Sequence, residues 1–288
     1  MKIGILGPSG TFSETAARLW LKGKNEKVEI KYYETIFDVS ESLSRKEVDY
    51  GIAPIENSLE GSVGETLDVL SSENSEEMRI VGEILVPIKI CLLQTQTFKK
   101  SLTQQTFERG LIKTVASHPH ALAQCKEFIR ERLRGVETKA MDSTASAAKL
   151  ASQSEEIAAL ASEEAAWKYG LNILEENVQD KDSVTRFVVL SSSGIKTAPT
   201  GKDKTSVLIY LKDYPGALYD VLGEFAQRQI NLTKIESRPS KRAMGDYMFH
   251  IDCEGHIEEK EIREALEGVE SKVAMLKILG SYPMAISN

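Results

Sequence analysis

The sequence predicts a two-lobed α/β domain followed by a smaller βαββαβ domain. Strands alternate with helices through the first two-thirds, a β-rich run at residues 79–93 interrupts the alternation, and residues 204–288 follow a βαββαβ order. Strands separated by ~10–15-residue helices favour a mostly parallel sheet with helices on both faces. The interruption is typical of a strand that crosses between two lobes, so a ligand would bind in the cleft between them.

The elements of the first region are predicted from short apolar runs and helical periodicity. Residues 2–6 form a buried strand, residues 7–12 (GPSGTF) form a turn, and a helix follows over residues 13–21. The next elements, in order, are strand 28–33, helix 37–45, strand 49–55, helix 64–70, strand 114–117, helix 121–132, strand 136–140, helix 145–152, strand 157–161, helix 163–169 and strand 186–190.

A linker separates the two domains. Residues 191–203 (SSSGIKTAPTGKD) are rich in Ser, Thr, Gly and Pro and lack apolar periodicity. We therefore expect one domain over residues 1–191 and another over 204–288, joined by residues 192–203. The second domain is expected to contain strand 206–211, helix 216–227, strand 232–237, strand 247–253, helix 258–266 and strand 273–282, the ferredoxin-like order.

Composition excludes several classes of protein. The 288 residues carry a formal charge of −7, with 25 basic and 30 acidic side chains in residues 1–203 and 11 and 13 in residues 204–288. Neither part is basic, so no nucleic-acid partner is expected. No apolar stretch approaches the ~20 residues of a membrane helix, and the N-terminus lacks the apolar region of a signal peptide. Cys91, Cys125 and Cys253 form no C-x-x-C pair, which is typical of a cytoplasmic protein.

Four predicted strand-to-helix junctions carry small hydroxyl or amide residues. Such residues commonly cap helices, but four junctions at one sheet edge also offer hydroxyls and free backbone N–H groups to an anion. An acidic protein could bind a carboxylated metabolite in this way. The candidate residues at these junctions are Thr11, Ser13, Asn57, Ser58, Ser117, Ser143 and Thr144.

No cofactor or metal motif is present. His118 and His120 have H-x-H spacing without a Cys or carboxylate partner nearby in the sequence, and residues 7–10 (GPSG) lack the third glycine of a dinucleotide fingerprint. We therefore expect neither a cofactor nor a metal. These observations leave two alternatives, an enzyme that acts on a small anion and a non-catalytic two-lobed ligand sensor.

Two sets of motifs resemble known families. The first set is residues 7–13 (GPSGTFS), 54–58 (PIENS), 117–119 (SHP), 143–145 (STA) and 185–187 (TRF). These motifs resemble the prephenate dehydratase family, whereas residues 215–218 (PGAL) and 231–239 (NLTKIESRP) resemble the phenylalanine-binding ACT domain of the same enzymes. The resemblance runs over residues 3–282 and implies periplasmic-binding-protein-like lobes ahead of the ACT domain. One departure is Ser183, where the family often has Asn.

The resemblance implies a reaction. Members of the family convert prephenate to phenylpyruvate, CO2 and water in phenylalanine biosynthesis, a carbon–oxygen lyase reaction without metal or nucleotide. The protein has to anchor the side-chain carboxylate and help the ring hydroxyl leave. Arogenate, which has an amine in place of the keto group, is the alternative substrate. We expect no chorismate mutase activity, because the first strand begins at residue 2.

The resemblance also implies roles for individual residues. Thr185 donates a hydrogen bond to the leaving hydroxyl. Asn57 and Gln124 orient the substrate through their amides, and Glu56 either aligns its neighbours or acts as an acid. The junction hydroxyls Thr11, Ser13, Ser58, Ser117, Ser143 and Thr144 are expected to bind substrate.

Arg186 and Phe187 follow Thr185 in the predicted strand and point to opposite faces of it. Because side chains alternate, Thr185 and Phe187 share one face and Arg186 points to the other. The resemblance implies that Phe187 forms an apolar wall that excludes water. It implies that Arg186 pairs with a substrate carboxylate, although the alternation argues against a position beside Thr185.

The ACT resemblance implies feedback control by L-phenylalanine. The helix expected over residues 216–227 begins with small residues. The backbone of a ligand is therefore expected to approach closely, and its carboxylate to meet free N–H groups. The strand that begins at residue 232 is expected to face this opening. Pairing of two such domains extends the sheet, so a homodimer or homotetramer is expected. The residues expected to bind phenylalanine are Pro215, Gly216, Ala217, Leu218, Asn231, Leu232, Glu236 and Ser237.

Overall fold

The protein folds into two α/β lobes and a C-terminal domain, each built on its own β-sheet. This arrangement confirms the predicted fold class. The structure is a computed structural model that describes residues 1–24, 26–72, 75–95, 112–192, 194–212, 214–240 and 246–285.

Lobe one is built around the strands that contain most of the predicted site. Its elements are β1 (Lys2–Leu6), α1 (Phe12–Leu21), β2 (Glu29–Tyr33), α2 (Ile36–Ser44), β3 (Tyr50–Asn57), β4 (Gly61–Ser62), α3 (Gly64–Ser71), β5 (Arg79–Ile88) and β11 (Ser183–Ser191). The sheet order is β2-β1-β3-β11-β5, and β4 pairs with β3. The inward-facing Ile3, Ile5 and Ile52 are fully buried in its core, which accounts for the strongly apolar strands.

Lobe two has a smaller sheet and many alanines. Its elements are β6 (Cys91–Thr95), β7 (Thr114–Ser117), α4 (Pro119–Gln124), α5 (Lys126–Arg132), β8 (Glu137–Ala140), α6 (Thr144–Ala151), β9 (Ile157–Ala161), α7 (Glu163–Tyr169) and β10 (Leu171–Glu175). The sheet order is β10-β6-β9-β7-β8. Ala147, Ala148 and Ala159 are fully buried in one cluster, and their small side chains let α6 lie close to the sheet.

The two sheets are mixed, so the prediction of a mostly parallel sheet is wrong. β1 runs parallel to β2 and β3, and β7 runs parallel to β8 and β9. By contrast, β11 is antiparallel to β3 and β5, and β6 is antiparallel to β9 and β10. The reason is that the chain crosses between the lobes twice, from β5 to β6 and from β10 to β11. The crossing expected at residues 79–93 is therefore present, whereas the return crossing was not anticipated.

The helices differ most from prediction at two positions. The helix expected over residues 258–266 extends instead from Lys260 to Lys272. The helix expected over residues 121–132 is divided at Cys125, whose backbone leaves the helical conformation between α4 and α5. Its side chain is fully buried in the lobe core. The longest of the described helices has 13 residues, and none of them is long and apolar enough to cross a membrane.

The C-terminal domain has the βαββαβ order. Its elements are β12 (Asp203–Leu211), α8 (Ala217–Ala226), β13 (Leu232–Pro239), β14 (Tyr247–Glu254), α9 (Lys260–Lys272) and β15 (Val273–Pro283). The sheet order is β13-β14-β12-β15, so β13 is an edge strand. Val207 and Ile251 face the helices and pack on Val221 and Val269.

The opposite face of this sheet packs directly on lobe one. Leu208 and Tyr282 share an apolar cluster with Ile80 and Val188 of lobe one. The two backbones approach so closely that a Cβ atom at Gly280 would overlap the carbonyl oxygen of Ile80. The helix-free face of the C-terminal sheet is therefore an interdomain surface.

A buried histidine lies in this interdomain surface. His250 is 2% exposed, and its Nε2 lies 2.9 Å from Ser71 Oγ of α3. Burial is the main cause that lowers the pKa of His250 to about 4; Lys234 and Arg238 lower it further, while Asp252 opposes them. The folded protein thus disfavours the protonated imidazole.

Acidification is expected to weaken this contact. The unfolded chain binds the His250 proton near pH 6.5 and the folded chain only near pH 4, so stability falls as the pH drops through this window. The melting temperature of His250→Gln should therefore fall less than that of the wild type between pH 7 and pH 4. Equal slopes in thermal melts at a series of pH values would contradict the assignment.

Candidate active site

The two strands that carry the expected catalytic residues lie side by side. β11 pairs antiparallel with β3, and the register places Thr185 opposite Asn57 and Arg186 opposite Glu56. Residues paired across an antiparallel ladder project to the same face. This pairing therefore places Asn57 next to Thr185, although the two residues are 128 positions apart in the sequence.

The orientation of the Asn57 amide is set by its neighbours. Its Oδ1 accepts hydrogen bonds from the backbone N–H groups of Leu59 at 2.9 Å and Glu60 at 3.1 Å. An oxygen that accepts two backbone donors leaves the NH2 group on the other side, where it donates to Thr185 Oγ1 at 2.9 Å. The turn after β3 therefore determines how Asn57 presents its amide to Thr185.

This contact determines what the Thr185 hydroxyl can do. Because Thr185 accepts from Asn57, its own proton is not used in that bond. Within the described part of the chain, this is the one hydrogen bond that the hydroxyl makes. A nearly buried hydroxyl, 9% exposed, is thus held with its proton available to a bound molecule.

Glu56 lies between two cations from different domains. Its carboxylate is 3.3 Å from Arg186 Nη2 and 3.7 Å from Lys234 Nζ of β13. The side chain is 37% exposed, whereas Lys234 is only 5% exposed. The two ion pairs favour the aligning role over the acid role left open by the sequence.

Gln124 reaches across from lobe two to the turn after β3. Its Nε2 donates to Glu60 Oε1 at 2.7 Å, and the other oxygen of Glu60 pairs with His120 Nδ1. Both lobe-two residues belong to α4. This bond uses one of the two hydrogens of the Gln124 amide, which leaves its second hydrogen and its oxygen for a bound molecule.

The loop after β1 is organised by an acidic residue of α1. Glu14 Oε2 accepts from Ser9 Oγ at 2.7 Å and from Gly10 N at 2.8 Å, and Oε1 pairs with Arg18 at 2.6 Å. Burial opposes the charged form, but these hydrogen bonds outweigh it and lower the pKa of Glu14 to about 2. Ser162 of lobe two donates to the carbonyl oxygen of Gly10, so this loop also joins the lobes.

Thr11 stands at the N-cap of α1 without capping it. Its Oγ1 lies 3.4 Å from the carbonyl oxygen of Leu6, and its side chain makes no cap hydrogen bond. The backbone carbonyl of Thr11 accepts from the N–H groups of Glu14 and Thr15, so only the N–H groups of the helix that precede Glu14 lack a partner from Thr11. Ser13, the second residue of the helix, is 5% exposed.

The junction at α6 follows the capping interpretation. Ser143 Oγ accepts from the backbone N–H of Ser146 at 3.0 Å, and its hydroxyl donates to Ser146 Oγ. Thr144 is the first residue of the helix. The Ser143 hydroxyl is therefore committed to local structure.

Two further hydroxyls also have structural partners. Ser58 Oγ accepts from the backbone N–H of Val184 at 3.0 Å, which extends the β3–β11 ladder. Ser117 is 0% exposed and donates to the carbonyl oxygen of Leu160 at 2.5 Å. The expectation that Ser117 binds substrate is corrected, because its hydroxyl is enclosed in lobe two.

Arg186 and Phe187 do not face the position that the family resemblance implies. Arg186 is 7% exposed and binds Asp252 at 2.7 Å and Glu83 at 3.2 Å, so its guanidinium joins the domains instead of reaching a substrate carboxylate. Phe187 is 2% exposed in the core of lobe one. It therefore supports the strand from inside and does not form a wall of the cleft.

The residues expected to bind phenylalanine lie at opposite ends of one C-terminal sheet. Leu232 and Thr205 pair with the same residue of β14, so Leu232 lies level with the start of β12. Gly216 comes after the other end of β12. Five residues between Thr205 and Tyr210 correspond to about 17 Å of strand. Within one chain, Asn231 and Leu232 therefore do not face Gly216, which leaves the expected pairing of two copies as the arrangement that could bring them together.

The two ends also differ in local structure. Pro215 and Gly216 are exposed, and Gly216 has φ of 94° at the N-cap of α8. Asn231 is exposed and donates to Glu254 at 2.9 Å. Ala217 is buried, and Leu218 is half-buried on the same helix.

Glu236 and Ser237 point to opposite faces of β13. Glu236 accepts from Ser62 Oγ of lobe one at 3.1 Å and pairs with Arg238 at 3.4 Å. Ser237 is paired with Phe249 on the face that carries the helices. Glu236 is corrected from an effector-binding residue to an interdomain residue, because the strand alternation directs it into lobe one.

Sequence reasoning missed Glu60, Ser62 and Lys234. An asparagine that ends a strand before a short turn is a signal for a bond to residues two or three positions later, which would have drawn attention to Glu60. Charged residues alternate in β13 at Lys234, Glu236 and Arg238, a pattern that indicates one polar strand face. Ser62 carries no comparable signal.

The histidines and cysteines show no arrangement suited to a metal ion in the described parts of the chain. In the described ranges, no group of three or more His, Cys, Asp or Glu side chains is placed to hold a metal ion. The rings of His118 and His120 stack edge to face at 4.8 Å, and burial lowers the pKa of His118. Cys91, Cys125 and Cys253 are free and buried.

Two family models match the chain. The model described as prephenate dehydratase matches residues 3–194, and the model described as ACT domain matches residues 205–271. The first spans the two lobes and the second spans most of the C-terminal domain. Both resemblances drawn from the motifs are thereby confirmed.

Full-length relatives agree with these matches. The prephenate dehydratase of Methanocaldococcus jannaschii is 40% identical over 96% of this chain and 96% of its own length. The bifunctional chorismate mutase/prephenate dehydratase of Aquifex aeolicus is 42% identical over 99% of this chain and 74% of its own length. A solved structure of prephenate dehydratase from Arthrobacter aurescens in complex with L-Phe has a TM-score of 0.85 at 34% identity, covering 98% of this chain and 90% of that one.

Proposed function

Since the chain belongs to the prephenate dehydratase family, we propose that it converts prephenate to phenylpyruvate, CO2 and water. The reaction breaks the bond to the ring carboxylate and the carbon–oxygen bond of the ring hydroxyl. As CO2 leaves, the electron pair of the broken carbon–carbon bond stays in the ring and makes it aromatic, while the ring hydroxyl leaves as hydroxide and takes up a proton from solvent to form water. The observation that carries the proposal is the Asn57–Thr185 hydrogen bond, because it leaves the Thr185 proton for the departing oxygen.

The contribution of Thr185 is a hydrogen bond that strengthens in the transition state. A threonine hydroxyl is too weakly acidic to protonate the leaving group alone at neutral pH, so it donates while charge develops on the oxygen. Removal of one such placed donor costs about 3–4 kcal/mol of transition-state stabilisation. Asn57 keeps the donor pointed at the substrate.

Other groups bind and position the substrate. The start of α1, which the Thr11 side chain does not cap, offers its N–H groups at Phe12 and Ser13 to the side-chain carboxylate. Gln124 binds the substrate with its second amide hydrogen or its oxygen, while its bond to Glu60 holds the lobes together. Glu56 holds the end of β3 through its two ion pairs.

The assay for phenylpyruvate by its absorbance tests this function. We expect the purified protein to turn over prephenate with a higher kcat/KM than arogenate. A higher kcat/KM for arogenate would assign the alternative substrate within the same family. Binding of prephenate without turnover would instead identify a ligand sensor and overturn the proposal.

We further propose that L-phenylalanine inhibits the enzyme at a site shared by two copies of the chain. β13 is the edge of the C-terminal sheet and offers its outer side to a second copy. An antiparallel, two-fold pairing of β13 places the Leu232 end of one copy beside the Pro239 end of the other. Because the Gly216 turn lies at the Pro239 end, each Asn231 then approaches the Gly216 turn of the other copy. A homodimer is the minimal assembly that completes this site and contains two copies of it, and a homotetramer made of two such dimers would contain four.

The cellular location is proposed from the cysteines. All three thiols are buried and free, and burial raises the pKa of Cys125 and of Cys253 to about 12. Such thiols resist oxidation and suit a reducing compartment. We therefore propose that the enzyme is cytoplasmic.

Gly216→Val is expected to abolish inhibition by phenylalanine and to leave kcat nearly unchanged. The φ of 94° at Gly216 is accessible to glycine and is strained for a β-branched residue. The turn therefore changes shape where the ligand backbone would approach. Inhibition curves for the variant and calorimetric titration of both proteins with millimolar phenylalanine provide the measurement.

Gly201→Val is the matched control for this variant. Gly201 also has a positive φ and open space around its Cβ position, but it lies in the linker. It should retain inhibition, and its melting temperature reports the general cost of the strain. Absence of phenylalanine binding to the wild-type protein would overturn the regulatory proposal.

A further inference from the structure

Charged side chains from both domains meet beside β3 and β11, and all of them except Glu56 are buried. Lobe one contributes Glu56, Glu83 and Arg186, and the C-terminal domain contributes Lys204, Lys234 and Asp252. The first group carries a net charge of −1 and the second a net charge of +1. The domains are thus electrostatically complementary at the point where β3 and β11 end.

Lys234 contacts both strands of the hairpin formed by β3 and β4. Its Nζ lies 2.5 Å from Ser62 Oγ on β4 and 3.7 Å from Glu56 on β3. Ser62 in turn donates to Glu236, two residues further along β13. The ammonium is 5% exposed, so nearly all of its former hydration is replaced by these contacts.

The same β3–β4 hairpin contains Asn57, which orients the Thr185 hydroxyl. β4 pairs with β3 so that Ser62 lies opposite Glu56. Glu56 is followed directly by Asn57, whose amide orients Thr185. A side chain that holds Ser62 and Glu56 therefore restrains the residue next to the hydrogen-bonded pair.

We propose that Lys234 is a positioning residue for the dehydration, supplied by the C-terminal domain, through which β13 sets the geometry of the Asn57–Thr185 pair. The inference rests on the proposed function. Because side chains alternate along β13, Lys234 lies on the face that packs on lobe one. A displacement of β13 would therefore move the Lys234 ammonium relative to its partners on lobe one, while the side chain stays buried. Phenylalanine bound at the β13 edge would change kcat by shifting this contact.

The test compares Lys234→Met with Lys234→Arg and with the control Lys260→Met. Lys260 belongs to α9, and its side chain is 73% exposed. For Lys234→Met we expect kcat to fall about 10-fold, with KM and the calorimetric Kd for phenylalanine each within about 2-fold of the wild type. Saturating phenylalanine should inhibit the residual activity much less. Lys234→Arg should recover most of the activity, and Lys260→Met should match the wild type.

Each other outcome overturns the assignment. Wild-type kcat and wild-type inhibition in Lys234→Met would show that the contact positions nothing, and a lost affinity for phenylalanine with unchanged kcat would place Lys234 in the effector site. If Lys234→Met does not fold, Ser62→Ala decides, because it removes the partner and keeps the charge; an unchanged kcat there contradicts the proposal. If the wild-type protein did not turn over prephenate, the proposed function itself would be overturned. That result is distinct from a failure of the Lys234 proposal, which is judged by the kcat of each variant relative to the wild type.

Discussion

Thr185→Ala is expected to lower kcat for prephenate by about two orders of magnitude or more. The variant loses a placed donor worth about 3–4 kcal/mol in the transition state and leaves the Asn57 amide without its acceptor. KM should change little, because the groups that anchor the carboxylates remain. Steady-state kinetics from the absorbance of phenylpyruvate measure both constants.

Thr185→Ser and Thr185→Val complete this series. Serine keeps the hydroxyl and should retain most of the activity, whereas valine keeps the shape of threonine and should be as inactive as alanine. An alanine variant that turned over at nearly the wild-type rate would remove Thr185 from the mechanism. Equal losses in serine and valine would show that packing, rather than the hydroxyl, is what the position requires.

Arg186→Ala is expected to destabilise the protein by about 3–5 kcal/mol. The guanidinium is 7% exposed between Glu83 and Asp252, whose side chains are 3% and 5% exposed. Removal of a cation from such a site leaves carboxylates buried with fewer partners, which costs more than the ion pair contributed. Because Lys204 still pairs with Glu83 and Lys234 with Glu56, the loss should lie toward the lower end of this range. Denaturant unfolding measures the change in free energy.

The control for this substitution is Arg130→Ala. The side chain of Arg130 is 70% exposed in an ion pair with Glu131, so its loss should cost less than about 1 kcal/mol. If Arg186→Ala unfolded as the wild type does while KM rose sharply, the guanidinium would bind the substrate carboxylate after all. The two measurements therefore separate an interdomain role from a substrate-binding role.

The sequence by itself determined the element types and many of their bounds. The predicted bounds of β1, β7, β9 and α7 agree with the structure to the residue. Local interactions explain this agreement: the strands are short apolar runs, and α7 begins at the Ser162 cap and ends at Gly170 in the left-handed conformation. Motifs also identified both domains, because a motif requires residue order only.

Tertiary structure decided which strands run antiparallel and what each face of a strand contacts. Alternation placed Arg186 opposite to Thr185, but it carried no information about the domain that covers Arg186. The same limit applies to Glu236, which the motif assigned to the effector and the packing directs to Ser62. Side-chain periodicity is a local property of the chain, whereas the partner across an interface depends on the docking of whole sheets.

The separation of Asn231 from Gly216 has the same physical origin. Both residues belong to recognised motifs, and the sequence order allowed them to meet. The antiparallel register of β12, β14 and β13 places them at opposite ends of the sheet. Residue types and local periodicity therefore determined the chemistry available to this protein. Strand register and domain packing decided which of those groups meet, because these depend on contacts between residues that are distant in the chain.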